Sequence, residues 1–168
     1  MNRILETERL VLRQFELTDA KFIVELVNTP GWLEFIGDRN IRTEDAAISY
    51  LQNGPLKSYK ESGFGLSMVE LKDGTPIGMC GILKRDTLEN PDIGFSFLPA
   101  FMGMGYAFEI ANATINYAKN KLNLKTILAI TVPTNKRSRQ LLEKIGLKFI
   151  KTIYTPVDNE ELMLFSTQ

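Results

Sequence analysis

The sequence predicts a single mixed domain of the α/β (α+β) class, in which a mostly antiparallel sheet is flanked by helices. Three observations carry this. The chain has 168 residues, 44% of them apolar, which suits one core and leaves no room for a second substantial domain. Several β-branched or aromatic runs stand at short spacing, two of them joined by the turn Lys72-Asp73-Gly74-Thr75. Segments with apolar residues at helical spacing separate these runs, and no linker, repeat or low-complexity stretch divides the chain.

The elements follow in order. Alternation over 9–14 reads as a first strand. Thr18 and Asp19 open a helix with Phe22, Ile23, Leu26 and Val27 as its apolar stripe, stopped by Asn28-Thr29-Pro30-Gly31. An apolar patch with a turn fills 32–39. Thr43, with Glu44 and Asp45 behind it, caps a second helix that ends at Asn53-Gly54-Pro55. Strands follow at 64–71, 76–83 and 93–98, the last two separated by a loop over 86–91. A helix spans 106–121, a β-branched buried strand 126–132, and a helix 135–145 with Gly146 as its C-cap. Strands at 148–154 and 160–165 finish the chain.

Composition excludes much chemistry. The chain contains no histidine, so Ser-His-Asp and Cys-His nucleophile systems and imidazole metal sites are out. One cysteine, Cys80, excludes an internal disulfide; in its apolar strand it reads as an inert core thiol. Twenty basic and twenty acidic side chains cancel, which gives no general attraction to nucleic acid or anionic lipid. No apolar run approaches the roughly 20 residues of a membrane span. Residues 1–13 lack a signal-peptide apolar region. The expected location is cytoplasmic, with neither nucleic acid nor membrane as partner.

The densest signal is Leu98-Pro99-Ala100-Phe101-Met102-Gly103-Met104-Gly105-Tyr106-Ala107, between a strand and a long helix. Glycines there let the backbone turn tightly and expose N–H groups at the helix start, a natural phosphate site. A plain strand-to-helix connection is the alternative at this stage. A Rossmann site is not: its third small position is Phe108, and the following strand ends on Ile130, Thr131 and Val132 with no acidic residue.

The segment Asp92-Ile93-Gly94-Phe95-Ser96-Phe97-Leu98-Pro99, running into Met102-Gly103-Met104-Gly105-Tyr106-Ala107, resembles the central motif of GNAT-type N-acetyltransferases, in particular the RimJ/RimL-like branch. Asn135-Lys136-Arg137-Ser138 and Leu142-Glu143-Lys144-Ile145-Gly146-Leu147 match that branch downstream. Glu8-Arg9-Leu10-Val11-Leu12-Arg13, Ile77-Gly78 and Gly81 match it upstream. Three positions depart from the pattern: Met102 replaces a glutamine, arginine or aromatic residue, Met104 a lysine, and Asp92 a glutamate.

The resemblance implies a sheet of six or seven strands with two splayed parallel members, 93–98 and 126–132, and about four flanking helices. It implies acetyl-CoA as co-substrate and no metal. The backbone at Phe97 and Leu98 would pair with the pantetheine arm. Met102 and the amides of Gly103, Met104, Gly105, Tyr106 and Ala107 would hold the pyrophosphate. Asn135 would bond the pantetheine, and Arg137, with Lys136 and Arg139, would meet CoA phosphates. Asp92 would take the amine proton through water, a backbone N–H at a strand bulge near Phe97 would hold the oxyanion, and Ser138 would protonate the thiolate; Tyr106 and Tyr154 are alternative donors. The acceptor would be a primary amine on a protein N-terminus or small molecule, and the protein a monomer or homodimer. A CoA-binding sensor or interaction module without turnover is the alternative function. Trp32, Phe35 and Ile36 line either an acceptor pocket or the core. Asp38 and Arg39 form an ion pair or turn lock, and Glu34, Asp38, Glu160 and Glu161 are candidate acidic contacts.

Overall fold

The computed structural model describes residues 2–168. Among them the chain forms, in order, β1 (Arg3–Glu6), β2 (Leu10–Arg13), α1 (Ala20–Val27), α2 (Pro30–Phe35), α3 (Glu44–Asn53), α4 (Pro55–Ser62), β3 (Leu66–Leu71), β4 (Pro76–Leu83), β5 (Asp92–Phe97), α5 (Tyr106–Asn120), β6 (Leu128–Thr131), α6 (Lys136–Lys144), β7 (Lys148–Tyr154) and β8 (Glu161–Ser166). All strands join one sheet, in the order β1-β2-β3-β4-β5-β6-β8-β7. Every neighbouring pair is antiparallel except β5 and β6.

Strand alternation divides the core between the two faces of the sheet. Val69, Ile77, Cys80, Phe97 and Phe165 pack under α5 and α6 with Ile110, Ala111, Ile115 and Leu142. Met68 and Met79, their neighbours in sequence, point the other way and pack with Ile23, Leu26, Trp32 and Leu51 of the N-terminal helices. The sheet is therefore a central layer covered on both sides. No helix among the described residues is long and apolar enough to cross a membrane.

The eight strands and six α-helices among the described residues exceed the six or seven strands and about four helices expected. The extra helices, α2 and α4, each begin on a proline at the first helical position. Pro30 and Pro55 end the preceding helix and also start the next, since a proline lacks only an N–H that the first turn does not use. The extra strand β1 is short and charged at both ends, and pairs back onto β2 through Glu6↔Val11 and Leu5↔Leu12.

Two local capping signals, Thr43 and Gly146, show the expected bonds. The Thr43 hydroxyl accepts from the Ala46 N–H at 3.1 Å, capping α3. Thr43→Ala is expected to cost about 1 kcal/mol, read as a lower urea midpoint with an unchanged slope. Gly146 takes φ +99° after α6 and donates to Glu143 at 3.1 Å, while Leu147 donates to Leu142 at 2.9 Å.

Candidate active site

The parallel pair opens as it runs. β5 and β6 share one registered pair, Asp92↔Leu128, next to a 2.9 Å bond from the Leu128 N–H to the Pro91 carbonyl. Toward Phe97 no ladder joins them, so a cleft lies between them, closed at the Asp92 end. On its other side β5 is regular: the β4 register runs without a shift from Gly78↔Phe97 to Leu83↔Asp92. The expected bulge near Phe97 is thus absent, and the cleft comes from divergence of β6. Leu98 donates its N–H to Ile77 at 2.9 Å. Since backbone groups alternate sides along a strand, the Phe97 N–H and C=O face away from β4, into the cleft.

Phe97 offers only backbone there, because its ring is buried in the core against Gly78, whose added Cβ would stand 2.6 Å from Phe97 Cδ1. Leu98 does not belong with it. Its N–H is committed to Ile77, its carbonyl accepts from Phe101 at 3.0 Å, and its side chain is buried against the N-terminal helices.

Past a short 3-10 turn, Pro99–Phe101, the chain reaches the glycine-rich loop. Gly103 and Gly105 take φ +78° and +83°, the left-handed region that glycine enters without a Cβ penalty. The Met102 N–H bonds Pro99 at 3.2 Å and the Glu109 N–H bonds Gly105 at 3.1 Å. Between them, the Met104 N–H closes a turn over Met102 and Gly103, while the N–H groups from Gly105 to Phe108 find no acceptor among the described residues. An exposed run of unpaired amides at the head of a 15-residue helix has the chemistry to receive phosphate oxygens, reinforced by the helix dipole.

The opposite wall is the start of α6. Asn135 caps it, its side-chain oxygen accepting from the Ser138 N–H at 3.2 Å, which leaves the amide NH2 of Asn135 for another partner. The Ser138 hydroxyl is half-buried and takes no partner among the described residues. Arg137 reaches across the mouth of the cleft, its Nη1 lying 3.3 Å from Met102 Sδ. The structure therefore brings together the glycine loop, Met102, Asn135, Arg137 and Ser138. Arg139 turns aside, donating to the Pro133 carbonyl at 3.0 Å.

Asp92 stands at the closed end, 1% exposed, with both carboxylate oxygens on Arg85 Nε at 3.0 and 3.1 Å. Burial raises its pKa above the ordinary carboxylate value, and the Arg85 guanidinium holds part of that rise back. The carboxylate does not line the open cleft. Cys80 is fully buried beside Thr114, and burial pushes its thiol up to about 12, far from a nucleophilic thiolate.

On the N-terminal helices, Trp32 is core, while Ile36 is exposed. The Trp32 indole N–H is buried without a partner among the described residues. Asp38 pairs with Arg42 at 2.7 Å and caps the turn at Asn40 from 2.8 Å; Arg39 is not its partner.

Sequence reading missed a contact on the glycine loop. Arg9, between β1 and β2, donates from Nη1 to the Met104 carbonyl at 3.0 Å and from Nε to Glu109 Oε2 at 2.7 Å, with its guanidinium 4.4 Å from the Tyr106 ring centre. These partners lie about a hundred residues away in sequence, and only the strand order brings them together.

A parted parallel pair with an amide-rich turn beside it is a layout suited to a phosphate-bearing ligand laid along an opened sheet. The profile of the Acetyltransferase (GNAT) domain family matches residues 9–148, and the chain belongs to that family. It is an acetyl-CoA-dependent acetyltransferase. The uncharacterized protein YkkB of Bacillus subtilis is 31% identical over 157 residues, covering 89% of this chain and 87% of that one. An FsC-acetyl coenzyme A-N(2)-transacetylase of Aspergillus fumigatus is 28% identical over 165 residues, covering 92% and 68%. Among solved structures, an acetyltransferase from Agrobacterium tumefaciens shares the fold at a TM-score of 0.82 and 24% identity, covering 100% of this chain and 95% of that one.

Proposed function

We propose that this acetyltransferase moves the acetyl group onto the nitrogen of a primary amine, borne by a small molecule or a peptide, with both substrates held together. The observation that carries the reading is the run of unpaired amides from Gly105 to Phe108 at the mouth of a cleft lined by the Phe97 backbone. The name of the A. fumigatus relative, an N(2)-transacetylase, supports nitrogen as the acceptor atom.

Residues of this chain divide the work. Amides from Gly105 to Ala107 hold the pyrophosphate, the Phe97 backbone and the Asn135 NH2 hold the pantetheine, and Arg137 meets a CoA phosphate. When bound, acetyl-CoA supplies a thioester carbonyl as electrophile. The Phe97 N–H, aimed into the cleft, is the donor for charge developing on that carbonyl oxygen. An alkylammonium has a pKa of about 10, so the attacking nitrogen must first lose a proton. Asp92 is the acceptor we assign, reached through water because its carboxylate is 1% exposed. Ser138 donates to the departing sulfur.

Calorimetric titration with acetyl-CoA and CoA tests the cofactor half, and thiol release over a panel of amines tests the transfer. Heat without thiol release on any amine would leave a CoA-binding module and overturn the proposal. Ser138→Ala is expected to lower kcat only about tenfold, because a thiol of pKa near 8.5 leaves with little help. A change in KM for acetyl-CoA with kcat intact would instead make Ser138 a binding residue.

A further inference from the structure

We infer that Arg9, on the turn between β1 and β2, is a positioning residue that aims the amides of the glycine loop at the cofactor phosphates. The inference rests on reading 105–108 as the phosphate cradle. Its ground is the direction of a peptide plane. In a trans peptide the C=O of one residue and the N–H of the next point opposite ways. Arg9 Nη1 holds the Met104 carbonyl at 3.0 Å, so the Gly105 N–H is turned away from Arg9. The helix does the same for the next amide: the Gly105 carbonyl accepts from the Glu109 N–H at 3.1 Å, which turns the Tyr106 N–H outward. Arg9 thus extends by one residue the alignment that α5 imposes on its own first turn.

The guanidinium has a second task. Glu109 lies in the first turn of α5, where a bare carboxylate would repel an incoming phosphate. Both its oxygens are occupied: Oε1 accepts from the Arg9 N–H and the Thr7 hydroxyl, each at 2.9 Å, and Oε2 from Arg9 Nε at 2.7 Å. Burial alone would raise the Glu109 pKa, but these donors outweigh it and hold the carboxyl below its ordinary value. Arg9 Nη2 would stand 3.3 Å from a Cβ on Gly105, so a side chain there would have to shift the guanidinium by a few tenths of an ångström. The Arg9 side chain is 43% exposed, and ion pairs so exposed contribute little to stability. Fold stability alone therefore does not account for so many bonds on one guanidinium.

The test is CoA affinity by calorimetry, with acetyl-CoA kinetics and melting temperature measured in parallel. For Arg9→Ala we expect Kd for CoA and KM for acetyl-CoA to rise about tenfold or more, with kcat at saturating acetyl-CoA within about twofold and little change in melting temperature. Arg9→Lys keeps the charge without the fork and should fall between; it also serves if the alanine variant fails to fold. Binding by the unaltered protein that both variants leave within about twofold overturns the inference alone. No CoA binding by the unaltered protein overturns the cradle and the inference together.

Discussion

Gly105→Glu is expected to abolish detectable CoA binding while the chain still folds. Gly105 sits at φ +83° as the N-cap of α5, a conformation costing an L-residue roughly 1–2 kcal/mol. The new Cβ would press on Arg9 Nη2 at 3.3 Å, closer than most Cβ contacts, and loosen the guanidinium from the Met104 carbonyl. Then the carboxylate would compete for the amides meant for phosphate oxygens and repel the phosphate itself. These effects coincide on one loop, so affinity should fall at least about a hundredfold, beyond calorimetric detection at ordinary concentrations. The loop is exposed, so the melting temperature should fall by a few degrees at most. Gly103→Ala is the control: it shares the positive φ, but its Cβ would meet nothing within 4 Å, so binding should weaken far less. Equal losses in the two variants would place the effect in backbone strain alone and remove the phosphate cradle from the explanation.

The legibility of the sequence follows the range of each interaction. Caps and turns at Thr43 and Gly146 were readable because donor and acceptor lie within a few residues of one another. The backbone geometry of the glycine loop was readable for the same reason, since positive-φ glycines and helix-start amides are a local property. Prolines misled, because Pro30 and Pro55 carry one signal for a stop and the same signal for a start. Long-range partners were beyond reach. Nothing near Arg13 indicates that its guanidinium, paired with Asp19 six residues on, is also buried against Glu70, at 3.0 Å and 57 residues away. The Arg9–Glu109 pair is the same case at the site itself: two ordinary charged residues become meaningful only after β2 and α5 are placed. Leu98 shows the converse: its neighbours in sequence point to the cofactor, whereas its N–H and C=O bond Ile77 and Phe101 within the fold.

The absence of histidine turns from an exclusion into a demand on mechanism, because a carboxylate or water must then accept the amine proton. Asp92→Asn is expected to lower kcat about a hundredfold near neutral pH, the usual scale for removing a general base. Its pH dependence follows from the direction of the Asp92 shift. Burial raises the carboxyl above its ordinary value of about 3.9, so the unaltered protein should lose activity as pH falls through that raised value and the base is protonated. In the variant this acidic limb should vanish, and its rate should climb with the amine's own deprotonation. The deficit should therefore narrow toward pH of about 10, where the amine is neutral without help.

The stability sign separates this from mere damage. A carboxyl whose folded pKa is raised contributes fully to stability below its unfolded pKa, and that contribution is lost as pH rises through the folded value. At neutral pH the ionised Asp92 is thus no net asset to the fold, and an isosteric neutral amide should not destabilise it for want of a charge. Arg85, 39% exposed, can turn its guanidinium to water. A melting temperature within a few degrees of the unaltered protein, with a hundredfold lower kcat and no acidic limb, would place the base at Asp92. A variant with full activity and a lower melting temperature would make Asp92 and Arg85 a clasp on the closed end of the cleft, and would move the proton to solvent.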